Sequence, residues 1–332
     1  MGVTSHDVAR MAGVSQPTVS RALRGEPGVS HATREKVLRA ARTLAYVPSE
    51  TGRSLSTRAT RRIGIVAAEL TNPFYPELVE PTRDRLAHAG FRTVLVTDRV
   101  EEPVELAALV DGSLDGVVLT TTVLGSPLPH ELGSRGIPCV LVNRDVGGPG
   151  VDSCVMDNRT GALDVAHLLT GLGHRRIGAI FGPDYTSTGR DRETGFREGL
   201  SERGVPLPRR RVRRGDFAYE TGYTALLELL DARDRPTAVF CGNDVIAMGA
   251  CNAAAAQGVR VPGELTIVGF DDIAMASWPV FSLTSVRYDL AAMATTAVRL
   301  LTDRIKQFDR PAERVVLPPS LVLRGTHGPP PS

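Results

Sequence analysis

DVARMAGVSQPTVSRALRG, residues 7–25, holds two short helical patterns separated by a glycine turn. Thr4 can cap the first helix while Asp7, three positions on, closes a capping box. Val8, Met11 and Ala12 then fall on one stripe at i, i+3 and i+4. Gly13 ends that helix because a tight turn favours a residue tolerant of positive φ. Ser15 is a fresh N-cap, and Pro17 falls in the first turn, where its missing N–H is no loss. Val19, Ala22 and Leu23 form the inner stripe of the second helix. Ser30 caps a third, with Val37, Ala40, Ala41 and Leu44 on one face. Three helices around a small core, two of them joined by a glycine turn, predict a helix-turn-helix head. The outer face of the second helix presents Gln16, Thr18, Ser20, Arg21 and Arg24. Such side chains donate and accept hydrogen bonds, as a helix entering the DNA major groove must.

Charge points the same way. Residues 1–62 carry eleven Lys or Arg against four acids, a net +7, whereas the whole chain of 332 residues is only +2. A basic head on an acidic body suggests a polyanionic partner for the head alone. Neither a long uninterrupted apolar run nor a basic-then-apolar start is present, so the sequence predicts no membrane span or signal peptide and a cytoplasmic location. Cys139, Cys154, Cys241 and Cys251 lack metal or redox spacing, and the seven histidines show no ligand pattern. No metal or cofactor is expected. His174, in GLGHRRI, follows a helix end and is read as a capping or dipole-facing residue.

From Ile63 onward, apolar β-rich runs alternate with helical ones: IGIVAA, ELVEPTRDRLAHAG, RTVLVTD, VELAALV, DGVVLT, a turn segment and IPCVLVN. The alternation restarts with ALDVAHLLTGL, RIGAIF and DRETGFREGLSERG and runs on to ELTIVGF. It predicts an α/β body of two doubly wound lobes with parallel sheets, and ligand bound between them at the strand C-terminal ends. G-x-G-x-x-G, G-x-x-x-x-G-K-[ST] and G-x-S-x-G are all missing, which argues against an enzyme. A solute-binding protein for transport would share the body but not the basic head.

Residues 7–25, followed by VSHATREKVLRAARTLAYVPS, resemble the DNA-binding head of the LacI/GalR family of bacterial transcription regulators. The body resembles the periplasmic-binding-protein fold of that family's sensor to about Gly325. The resemblance implies a head over 1–47, a hinge helix or linker over 48–61, and an effector-binding and dimerisation core over 62–325. Within the core it implies lobe one at about 62–159 and 290–318 and lobe two at about 160–289 and 319–325, with 326–332 a disordered tail. It makes Gln16, Pro17 and Arg21 base-reading positions within a DNA-contacting set completed by Ser15, Thr18, Ser20 and Arg24. Leu55 becomes a wedge for the minor groove. Matched position by position, effector contacts fall on Asn72, Phe74, Tyr75, Asn143, Arg190, Phe217, Asn243, Asp271 and Trp278, with Arg190 foremost. Several have plain structural readings as well: Asn243 as a helix cap, Asp271 in a turn, Phe74 in the core. The implied function is a ligand-responsive regulator, most often a repressor. Its implied partners are a near-palindromic DNA operator, a small effector such as a sugar, and a second copy of the chain; no family tetramerisation heptads are present.

Overall fold

The structure, a computed structural model, describes residues 3–46, 59–67, 70–97 and 105–331. Leu55 and most of the 48–61 linker lie outside the described residues, as does the side chain of Arg24. The chain divides into two units, Met1–Thr60 and Arg61–Ser332.

The first unit contains helices α1 (Ser5–Ala12), α2 (Gln16–Arg24) and α3 (His31–Thr43). The capping box forms: the Thr4 backbone N–H donates to Asp7 Oδ2 at 2.9 Å and its hydroxyl to the same oxygen at 2.7 Å. Gly13 and Gly25 end α1 and α2 in left-handed conformations, φ 67° and 69°. Ser30 Oγ accepts from the Thr33 N–H at 3.2 Å and starts α3. The core is Val8, Ala9, Val19, Ala22, Val37, Ala40 and Ala41, with Leu23 and Leu44 packed at its edge. One expectation fails: Met11 is 51% exposed, and Ala9 takes its place inside. The buried set on α1 is Val8, Ala9 and Ala12, a stripe whose centre falls away from position 11.

In the second unit the chain runs β1 (Arg62–Ala67), α4 (Phe74–His88), β2 (Arg92–Thr97), α5 (Leu106–Leu109), β3 (Gly116–Leu119), α6 (Leu128–Ser134), β4 (Cys139–Val142) and β5 (Asp152–Met156). It continues through α7 (Asn158–Gly171), β6 (Ile177–Phe181), α8 (Ser187–Glu202), β7 (Val212–Arg214), α9 (Tyr219–Asp231), β8 (Ala238–Cys241), α10 (Asp244–Ala256) and β9 (Thr266–Val268). It finishes with β10 (Ser285–Arg287), α11 (Leu290–Lys306), β11 (Arg314–Leu317) and β12 (Ser320–Val322). The described strands form a parallel sheet ordered β11-β5-β4-β3-β1-β2, a parallel sheet ordered β7-β6-β8-β9, and an antiparallel pair β10-β12. The strands β1, β3, β4, β6 and β8 read as unbroken apolar runs because helices cover both faces of each sheet.

After β5 the chain leaves the first sheet and builds the second, then returns through α11, which packs on α4 and on β3–β5, to add β11 beside β5. Three crossings therefore join the sheets, near residues 157, 289 and 318. The β5 strand, DSCVM, escapes the sequence pattern because Asp152 and Ser153 interrupt its apolar run. Asp152 is buried all the same, held by Arg304 at 2.9 Å, Arg310 at 2.7 Å and the Glu313 N–H at 2.8 Å. The segment read as a turn before β4 contains α6.

Tail residues expected to be disordered are instead fastened to the second sheet. Thr326 Oγ1 donates to the Ile267 carbonyl at 2.7 Å, and the Gly328 N–H donates to Thr266 Oγ1 at 3.0 Å. His174 completes the clip and is no mere helix cap. It is fully buried, with Nε2 2.9 Å from the Gly328 carbonyl and Nδ1 2.9 Å from the Thr237 hydroxyl. A carbonyl only accepts, so Nε2 carries the proton, and burial lowers the tendency of the ring to charge. The proline-rich composition hides this docking, since it comes from backbone groups that satisfy the β9 edge.

Glycines set the helix spacing. An added Cβ at Gly195 of α8 would stand 1.9 Å from the Arg159 carbonyl oxygen of α7, and one at Gly222 of α9 would stand 1.9 Å from the Ile246 carbonyl oxygen of α10. Gly195→Ala should therefore destabilise the core by about 1–3 kcal/mol through overpacking. A urea-unfolding midpoint unchanged from the parent would contradict this.

Candidate functional site

On α2 the inward Val19 and Ala22 leave Gln16, Pro17, Thr18, Ser20 and Arg21 partly or fully exposed. The helix entry is braced twice. Ser15 Oγ lies 2.8 Å from Thr18 Oγ1, and Gln16 Nε2 donates to Ser5 Oγ at 3.4 Å. Pro17 sits in the first turn as its chemistry requires. Arg21 is exposed, so a cationic donor stands on the outer face of a helix whose opposite side is fixed in the core.

In the larger unit, Asn72, Phe74, Tyr75, Asn143, Phe217 and Asp271, six of the nine expected effector residues, line one internal cavity. Most of them follow strand C-terminal ends: Asn72 comes after β1, Asn143 after β4, Phe217 after β7 and Asp271 after β9. Both sheets have their strand-order reversal here, where open α/β folds form crevices. Arg144, Thr188 and Arg192 complete the lining.

Three expected residues are not in the lining. Asn243 is buried and caps α10, its Oδ1 accepting from the Ile246 N–H at 2.9 Å. Trp278 is half exposed, near the still more exposed Val280. Arg190 is half exposed and paired with Asp191 at 2.8 Å. Its place in the cavity belongs to Arg192, two residues along α8 and so on another face of the helix. The signal was present: Thr188, Arg192, Gly195, Phe196, Gly199 and Leu200 mark the buried stripe of α8.

Arg192 is buried and nearly saturated. Its Nε donates to Asn158 Oδ1 at 2.9 Å, Nη1 to the Gly242 carbonyl at 2.5 Å, and Nη2 to Asp271 Oδ1 at 2.8 Å and to the Tyr288 hydroxyl. Its guanidinium carbon lies 4.0 Å from the Phe270 ring centroid and 5.7 Å from that of Phe217. Four of five N–H donors are thus engaged, leaving one on Nη1. Burial pushes the Asp271 carboxyl up to about 6, with Arg192 opposing the shift. The two groups lie at ion-pair distance, both nearly fully buried.

Asn143 holds a left-handed conformation, φ 68°, and Asp271 a strained one at φ 112°. Asn143 Oδ1 and Arg144 Nε are buried with no hydrogen-bond partner among the described residues. The cavity they border measures about 20 Å³, enough for one water molecule. Three hydrogen bonds join segments of the two sheets close in sequence to these lining residues. The Ala274 N–H donates to Glu77 Oε1 at 2.9 Å, the Leu124 N–H to the Tyr185 carbonyl at 2.9 Å, and the Asp145 N–H to Ser187 Oγ at 3.0 Å. The four cysteines lie elsewhere, and burial raises all four thiols, Cys139 and Cys251 to about 12 and Cys154 to about 11. Among the described residues no helix is long and apolar enough to cross a membrane, and no cluster of three metal-ligating side chains occurs.

Known proteins resemble this chain over nearly its whole length. The pattern for bacterial regulatory proteins of the lacI family matches residues 4–49, and that for a periplasmic binding protein-like domain matches residues 165–327. The HTH-type transcriptional regulator CelR of Thermobifida fusca is 36% identical over 96% of this chain and 96% of its own. A structure of a CelR–cellobiose complex superposes with TM-score 0.75 at 34% identity, covering 98% of this chain and 99% of that one. The lac repressor dimer bound to operator and the anti-inducer ONPF gives TM-score 0.88 at 25% identity, with coverage of 98% and 99%. A helix-turn-helix head joined to such a core defines a DNA-binding transcriptional regulator. The chain belongs to the LacI family of bacterial regulatory proteins.

Arg192→Met should lower core stability by about 3–5 kcal/mol, because it leaves the Asp271 carboxylate buried and unpaired. Arg192→Met combined with Asp271→Asn should recover part of that loss. Chemical denaturation of the two variants checks the coupling, and simple additivity would refute it.

Proposed function

We propose that this regulator is a repressor that binds a near-palindromic operator as a homodimer and releases or tightens its grip when a small polyhydroxylated metabolite, a sugar in the first instance, enters the cleft. The observation that carries the reading is the cavity wall itself. An orphan acceptor on Asn143, a spare donor on Arg192 and the rings of Phe74, Tyr75 and Phe217 converge at the strand ends of both sheets. Hydroxyl groups satisfy such donors and acceptors, and the faces of a sugar ring suit aromatic walls. The likeness to a regulator solved with cellobiose supports the sugar class.

The lobes of this reading follow the two sheets, with lobe one near 62–159 and 290–318 and lobe two near 160–289 and 319–325. A cavity of about 20 Å³ is too small for a sugar. Entry therefore requires the bonds at Glu77, Leu124 and Asp145 to open, and this supplies the differential contact between states that allostery needs. A fivefold to 150-fold change in operator affinity corresponds to about 1–3 kcal/mol of coupling. The protein acts by binding, without catalysis, on DNA in the cytoplasm.

In the head, Gln16 and Arg21 read base edges and Pro17 presses on an apolar group such as a thymine methyl. Ser15, Thr18, Ser20 and Arg24 support the docking, and Leu55 is the minor-groove wedge. Val94 and Leu95 are exposed on opposite sides of β2, whose outer edge is open to pairing with a second copy.

Operator selection from random duplexes, repeated with a sugar library, tests the whole reading. The absence of any preferred sequence would end it. Arg21→Ala should weaken the selected operator by about 1–3 kcal/mol and relax preference at one base pair. An equal loss on every duplex would make Arg21 a phosphate contact instead. Asn143→Gly, which keeps the left-handed backbone, should weaken the active sugar about tenfold or more, since one hydrogen bond to a buried polar group is lost, while operator affinity without sugar stays unchanged.

A further inference from the structure

The larger cavity of the core is elsewhere. About 470 Å³ of space lies between Arg210, Arg211, Leu229, Ala232, Arg233, Asp234 and Pro236. These residues stand just before β7, at the end of α9 and just before β8, so the cavity is at the strand N-terminal ends of the second sheet. The cleft lies at the opposite ends of the same strands, which makes this a separate site.

Its chemistry is one-sided. Arg210 and Arg211 both turn to one carboxylate oxygen, Asp234 Oδ2: Arg210 donates through Nε at 3.1 Å and Nη2 at 2.8 Å, Arg211 through Nε at 3.0 Å and Nη2 at 2.8 Å. One acceptor thus serves four donors. Arg211 is buried, and its Nη1 has no acceptor among the described residues. Arg233, on the same wall, makes no ion pair among the described residues, and neither does Arg209 immediately before the pair. Three guanidinium groups around the cavity face one carboxylate, an excess of two positive charges. The remaining lining, Leu229, Ala232 and Pro236, is apolar.

We propose that this cavity is a second ligand site, one that takes a small phosphate monoester carrying a ring or other apolar body. A phosphate monoester carries close to two negative charges at neutral pH and three strong acceptor oxygens. It therefore matches the charge excess and can accept from guanidinium donors that Asp234 cannot serve. Planar guanidinium forks bind phosphate in two-pronged fashion, which lysines at the same places would not do. The apolar wall accepts the body of the ligand, and the volume falls within the range of small-molecule sites. Nothing in this assignment depends on what occupies the cleft.

Calorimetric titration of the full-length protein tests it with phenyl phosphate, inorganic phosphate, benzoate and benzyl alcohol. Phenyl phosphate should bind saturably and at least tenfold tighter than either inorganic phosphate or benzoate, and benzyl alcohol should give no saturable heat. Arg210→Ala and Arg233→Ala, both at exposed side chains, should each weaken phenyl phosphate tenfold or more. Asn143→Gly in the cleft, which keeps the left-handed backbone, and Arg83→Ala, whose guanidinium pairs with Asp84 on α4, should leave it unchanged. The proposal is overturned if phenyl phosphate gives no saturable binding at millimolar concentration, if the Arg210 and Arg233 variants bind it as the parent does, or if Asn143→Gly abolishes binding.

Discussion

The core is organised around the burial of one positive charge. A guanidinium withdrawn from water is tolerated only if nearly all its donors find acceptors, and Arg192 finds them on four separate segments. Asn158 and Tyr288 stand at two of the crossings between the sheets, Gly242 follows β8, and Asp271 follows β9. Each acceptor must keep its position for the charge to remain buried, so a single side chain ties the ends of the second sheet to the connections with the first. Phe270 stacked beneath the guanidinium, and the edge contacts among Phe270, Tyr288 and Phe74, carry that order into the apolar core. The site and the scaffold are in this sense the same structure.

Bonds between the two sheets lie beside the same arrangement. With Arg192 satisfied from within, the walls meet closely enough for Glu77, Leu124 and Asp145 to bond across the gap. What the cleft still lacks is an acceptor each for the last Arg192 donor and for Arg144 Nε, and a donor for Asn143 Oδ1. Those three deficits define the polarity of a fitting ligand more sharply than the apolar lining does. Close helix packing through Gly195 and Gly222 holds each helix layer of the second sheet tightly together.

Much of this was legible in the sequence. The head followed from caps, glycines and apolar spacing, because a three-helix unit is governed by local rules. Parallel strands announced themselves as apolar runs between helices. Asp152 hid β5, since an ion pair with Arg304 and Arg310, more than 150 residues away, makes a charged residue behave as an interior one. Arg190 and Arg192 differ only in which side of α8 they occupy, and motif matching ranked them without the helical stripe that separates them. Asn243 and Trp278 illustrate the reverse case: residue types suited to a ligand, spent on a helix cap and on the surface. The anchored tail was invisible because it rests on backbone atoms and on His174, with little periodic side-chain signal.

The left-handed backbone at Asn143 and the strained one at Asp271 also bear on how such a sensor can diversify. Few amino acids tolerate those torsions, so drift at either position is narrow whatever molecule is being sensed. Phe217 and Thr188 stand on ordinary backbone in the same wall, so torsion does not restrict which residue type they carry. A library built to retune this chain into a biosensor for a new compound would draw its diversity from those two places and keep the strand-end Asn and Asp constant.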